Sequence, residues 1–374
     1  MRMSFREMNL RVFQRQPVPH VLFQPRMEPW FDWHTQFGQM PEAFAGLDLR
    51  GLYDACDCSM RTFQYYSGLQ SPIVVEYESE VALIEQRDGD RLTRVYRTPC
   101  GDLVETQHLT LDNTWRVTGF AVQNEDDLRA LAWLFRHMRY HFDSNLYQEG
   151  SLWIGDRGQP GFWVPKSPYQ ALAQQWMRLS DLVYALADCP TQVHEAMDAI
   201  DSSYDALYDE LIAGGLARIV SFGENLHDSL FSPAWFVRYL LPWYHRRAGQ
   251  LRSAGIITHV HLDGYFHSLL PLLGDLPFDG LEALTPEPQG DVTLDEIREY
   301  IGDKILLDGI PAVLFTDTYS REELMACAER VVSLFHPNLV LGISDEVPEG
   351  AGAEAIERVR MLARWARSQG VKTR

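Results

Sequence analysis

Nowhere in the 374-residue chain do eighteen apolar residues run together, so no segment is long enough to cross a bilayer as a helix. Cysteine is scarce. The five, at positions 56, 58, 100, 189 and 327, form no CxxC pair and no zinc-finger spacing, which points to free thiols in a reducing compartment. Basic residues are outnumbered, 33 Lys plus Arg against 52 Asp plus Glu, and the net charge of −19 repels both phosphate backbones and anionic lipid. Nucleic acid and membrane surfaces are therefore not expected partners. The first thirty residues scatter Arg2, Arg6, Arg11 and Arg15 without the apolar stretch of a signal peptide, and a cytoplasmic protein is expected. No phosphate-loop lysine motif and no nucleophile-elbow serine occurs, and GAGAEA at Gly350 lies too near the end to open a dinucleotide-binding unit.

What is present is an ordinary globular mixture, 46% hydrophobic and 23% charged, in a chain long enough for a large core without staples. Short apolar runs alternate with stretches of helical period in the second half. Expected strands there are Arg218–Gly223, Ile256–Leu262, Gly280–Leu284, Lys304–Asp308 and Leu339–Ile343. Ser232-Pro233 reads as a helix start and Gly255 as its end, with Pro242 expected to kink the helix between. Thr293 with Glu296, and Ser320 with Glu323, have capping-box spacing. Earlier, a helix is expected over Thr191–Ile212, and three further strands over His20–Gln24, Val117–Val122 and Leu152–Gly155. Eight strands alternating with helices predict a (β/α)8 barrel. Turn compositions at Asp88-Gly89-Asp90 and Pro99-Cys100-Gly101-Asp102 predict an antiparallel β-meander inserted in that single domain over about residues 72 to 123.

Barrel active sites lie at the C-terminal strand ends. The candidates are therefore Glu224, His259, His261, Asp263, Glu282, Asp308, Asp345 and Glu346, with Arg26 and Arg157 as facing cations. Any one of them alone reads as a helix cap or a satisfied buried group. Together, so many carboxylates need a cation, a proton or arginine to balance them. A divalent ion, zinc or an oxygen-preferring metal, would serve, held by His261 and Asp263 with Asp345 or Glu346. Arg26, Glu224, Glu282 and Asp308 are the expected catalytic set. Trp30, Phe31, Trp33 and His34 suit either a lid or packing.

The phrases FGENLHDSLFSPAWFVRYLLPWYHRRAGQLRSAG, HLDG, EALTPEPQGDVTLDEI, LLDGIP and LGISDEVPEG, in this order, resemble the uroporphyrinogen decarboxylase superfamily. In particular they are similar to a branch near the methylcobalamin:coenzyme M methyltransferases. The resemblance runs from about Ile219 to Gly350 and is looser upstream. It implies a β/α barrel. The decarboxylase branch holds its polycarboxylated substrate with an arginine-rich glycine loop, of which this chain has Arg26 alone. The methyltransferase branch holds zinc by His-x-Cys and a late Cys. His261 matches that histidine, Asp263 replaces the cysteine, and the late position falls near Ser344, Asp345 or Glu346. The resemblance thus implies an enzyme moving a methyl group between a small O- or N-methylated compound and a corrinoid carried by a partner protein. A carboxy-lyase using carboxylate and arginine acid-base chemistry, and a barrel that binds a small molecule without turnover, are the alternatives.

Overall fold

The computed structural model describes residues 3–64, 66–111 and 114–370. The chain divides into two compact units, one of residues 73–143 with 165–214 and the other of 1–72, 144–164 and 215–374.

In the first of these, β1 (Ile73–Tyr77) pairs antiparallel with β6 (Met138–Phe142), and β2 (Ala82–Asp88), β3 (Arg91–Thr98), β4 (Gly101–Leu109) and β5 (Trp115–Gly119) form an antiparallel meander. Gly89 takes a positive φ of 60° at the β2–β3 turn, which only glycine accepts without strain. The expected strand Val117–Val122 is corrected here. Its first half belongs to the meander, and Val122 makes only an isolated bridge to Met177. Residues 124–143 and 165–214 join the meander in this unit, so the compact body extends past the expected insertion. The expected helix Thr191–Ile212 breaks in two at Tyr204, giving Pro190–Ser203 and Asp205–Gly214.

The other unit holds a parallel sheet in the order β12-β11-β10-β9-β8-β7. Its strands are β7 (Trp163–Val164), β8 (Ile219–Leu226), β9 (Ile257–Leu262), β10 (Gly280–Glu282), β11 (Ile305–Pro311) and β12 (Leu339–Ser344). Two extended segments flank it. Phe23 bridges parallel to Leu341 on β12, and Thr62 bridges parallel to Gly161 just before β7. The two segments also touch each other, since Ser59 N–H donates to Phe23 O over 3.0 Å. The expected strand His20–Gln24 is thus an extended segment beside β12. Leu152–Gly155 is not a strand but the end of the helix Ser144–Ile154, because a short apolar run fits a helix face as well as a strand.

Helix α1 (Phe5–Phe13), capped by Ser4 Oγ accepting from Glu7 N, lays Met8, Val12 and Phe13 against Leu22, Ile219, Ile305, Leu307 and Val340. Each such side chain fully buried contributes roughly 1.5–3 kcal/mol. Both expected capping boxes form, at Thr293/Glu296 and Ser320/Glu323. Ser232 caps Pro233–Trp235, and a π-helical stretch, Phe236–Leu240, precedes the helix Leu241–Ser253. Pro242 thus lies within a continuous helical run, immediately after the π-helical stretch, and the irregularity expected at this proline takes the form of that wider turn.

Candidate active site

The sheet explains which side chains converge. His261 and Glu282 are Cα partners in register, as are His259 and Gly280, so both imidazoles stand on one face beside Glu282. Asp308 comes one residue after the partner of Glu282 in β11, which would turn its side chain away. Its φ of +85° turns it back. Asn225, Ala283 and Asp345 also have positive φ at or just beyond strand ends, a form of strain that costs about 1–3 kcal/mol each and collects at functional sites.

At the centre lies Arg61, a residue that strand-end reasoning missed. Its Nη1 donates to Glu282 Oε1 at 2.8 Å and Asp308 Oδ2 at 2.9 Å, and its Nη2 to Asp308 Oδ1 and, at 3.4 Å, to Gln24 O. Its Nε donates to Gln24 Oε1 at 3.1 Å, so each of the five guanidinium donors has an acceptor. Gln24 is itself fixed, donating to Ser59 Oγ and Met60 O, both at 2.9 Å. Gly342 leaves the room: a Cβ there would lie 2.3 Å from Asp308 Oδ1 and 2.8 Å from Gln24 O.

Glu282 is fully buried, with His259 Nδ1 2.8 Å from Oε2 and His261 Nδ1 3.5 Å from Oε1. Burial pushes its carboxyl up, but Arg61 and the imidazoles outweigh that and hold it well below the usual glutamate range. Asp308, with the same arginine and no imidazole, is raised because burial outweighs Arg61. Burial pushes His261 down, and the Glu282 carboxylate with Asp345 behind it more than offsets this, so the imidazole is held above its ordinary value. Among the described residues His261 Nε2 makes no hydrogen bond or ion pair.

Nearer the exposed edge, buried Arg26 pairs with Asp345 (3.0 Å) and Glu346 (2.9 Å). Burial, eased by Arg26 and reinforced by Asp345, pushes Glu346 up to about 7. Glu28, in the first turn of α2 (Glu28–Gln36), is a second residue the sequence did not single out. It is fully buried, accepts from Tyr53 Oη at 2.8 Å, and is raised by burial.

Several expected members have other partners. Glu224 accepts from Tyr244 Oη at 2.7 Å, and Tyr244 belongs to the helix Leu241–Ser253. It stands three residues beyond Ser221, the neighbour of His259, past an irregularity in the β8–β9 pairing. Arg157 pairs with Asp54 at 2.7 Å. Trp30 is packed rather than a lid, stacked on His34 at 4.0 Å with Nε1 donating to Ala351 O.

The expected metal set does not assemble. Asp345 and Glu346 are held by Arg26, His261 turns Nδ1 to Glu282, and the Asp263 side chain makes no polar contact among the described residues. Among those residues no group of three His, Cys, Asp or Glu is arranged to hold a metal ion. The residues present therefore do not fit the zinc that the resemblance implies.

No protein-family model matches the sequence, and no curated protein matches it. Among solved structures, the chain is similar to a methyltransferase from Methanosarcina mazei, with a TM-score of 0.59 and 13% identity over 97% of this chain and 98% of that one. A B12-independent methionine synthase from Shewanella sp. W3-18-1, in complex with selenomethionine, aligns at a TM-score of 0.41 and 11% identity over 84% and 85%. No helix is long and apolar enough among the described residues to cross a membrane. At 13% identity, the likeness to the Methanosarcina protein is one of fold.

Proposed function

We propose that this chain is a methyl-transfer enzyme of the uroporphyrinogen decarboxylase-like barrel type. The extended segments at Leu22–Gln24 and Ser59–Thr62 complete the ring between β12 and β7, as their bridges to Leu341 and Gly161 and their mutual hydrogen bond suggest. The observation that carries the reading is His261 Nδ1 facing Glu282 Oε1 at 3.5 Å, which favours the protonated imidazole, with no hydrogen bond to Nε2 among the described residues. A methyl group bound to oxygen or nitrogen leaves as the acceptor's electron pair attacks carbon. The carbon–heteroatom bond breaks, its electrons stay on the heteroatom, and that atom takes the proton from His261. Glu282 stabilises the imidazolium before transfer, and Arg61 keeps Glu282 anionic. The methyl acceptor is a nucleophile brought by a partner, for which a protein-bound corrinoid is the expected class. The likeness of fold to the Methanosarcina methyltransferase supports the reaction class.

A second reading, a carboxy-lyase, is favoured by Arg26. Protonation of Glu346 near pH 7 weakens its ion pair with Arg26, so that a substrate carboxylate can compete for that guanidinium. A panel of O- and N-methylated compounds with isotopically labelled methyl groups, incubated with reduced free corrinoid, separates the two. Methylated corrinoid with equimolar demethylated product supports the first reading. Carbon dioxide released from carboxylated members supports the second. Saturable binding with no product would leave a binding barrel.

A further inference from the structure

We infer that the Arg61 guanidinium is a built-in cation that takes the place of a metal ion, so that the cluster is charge-balanced without a divalent metal. This concerns how the site is held together, and it stands whichever group the enzyme transfers. Two carboxylates and two imidazoles meeting at strand ends make a donor set that a metal would otherwise organise. Here both carboxylates are already tied to the arginine, while His259 Nδ1 and Glu282 Oε2 face each other over 2.8 Å without a hydrogen bond. The Asp308 oxygens take both Nη atoms of Arg61, Glu282 Oε1 takes Nη1, and both His Nδ1 atoms lie against Glu282. Arg61 cannot swing out of the way. It is 6% exposed, Gln24 Oε1 holds Nε, and the Gln24 amide is locked in turn by Ser59 and Met60. A metal entering between Glu282 and Asp308 would have to displace a guanidinium whose five donors are satisfied.

The geometry also separates this role from mere packing, because a planar cation of guanidinium shape is required and a hydrophobic filler would leave two buried carboxylates unpaired. Two measurements test it. In the first, the full-length parent protein is titrated with zinc and with manganese by calorimetry and thermal melting, beside His261→Ala. No saturable uptake, and melting indifferent to either ion or to chelator, is expected. Binding of one ion per chain that His261→Ala abolishes would overturn the inference. In the second, Arg61→Ala is melted with and without millimolar guanidinium ion, with urea as the control. A lowered melting temperature that guanidinium raises saturably, and urea does not, is expected. Melting equal to the parent, or no recovery with guanidinium, would overturn it. If Arg61→Ala does not fold, the metal titration of the parent decides alone.

Discussion

Replacing Gly342 by alanine would drive a methyl carbon against Asp308 and the Gln24 carbonyl, and the backbone carbonyl cannot yield as a side-chain tip would. The expected cost is about 1–3 kcal/mol. Because the clash lies at the Arg61 cluster, chemical denaturation should show lost stability together with lost activity. Arg61→Met should be worse, roughly 3–5 kcal/mol, since it leaves buried carboxylates without their cation. The pH dependence has a definite sign. Glu346 is raised in the folded chain from the ordinary value of 4.5 to about 7, so the stability linked to its proton is present below 4.5 and is lost as pH rises through 7. His261, raised above 6.5, acts in the same direction at higher pH. Melting temperature should therefore fall between pH 5 and pH 7.5 by an amount that shrinks in Glu346→Gln. An unchanged slope in that variant would place the titration elsewhere.

Among the elements, the strands β9 to β12 and the two capping boxes were legible in the sequence, because short apolar runs and a Ser/Thr-x-x-Glu step are local signals, although β11 runs three residues past its expected end at Asp308 and β10 stops two short of Leu284. Ser320→Ala should cost about 0.5–2 kcal/mol through the helix Arg321–Phe335, measurable by denaturant titration. Arg61 was not legible. It lies in SMRTF, an extended segment joined by isolated bridges, too short to show a period of two, and a single arginine in such a run has no local partner to announce it. The place of Glu224 was not legible, because Phe222 and Leu226 pair with Val260 and Leu262, leaving the three residues 223–225 opposite His261 alone and breaking the two-residue alternation there. The metal set misled for a different reason. Sequence shows ligand-type residues near one another, whereas the arginines that already neutralise them come from segments about 200 to 320 residues away.

For the whole molecule, the floor beneath the cluster is built by α1, whose Phe13 ring lies 6.0 Å from that of His259. Leu22→Ala in this floor should cost about 2–5 kcal/mol, yet leave the pH profile of catalysis unchanged, since it removes volume and no charge. In the proposed reaction His261 is the acid, its protonated form favoured by Glu282, and the direct measurement is the rate of methyl loss against pH in the parent and in His261→Gln. The parent rate should fall only as pH rises above the ordinary imidazole value. His261→Gln should lose roughly 10²- to 10⁴-fold in rate with its melting temperature nearly intact. A His261→Gln protein that turns over at the parental rate, with the parental pH profile, would contradict the assignment.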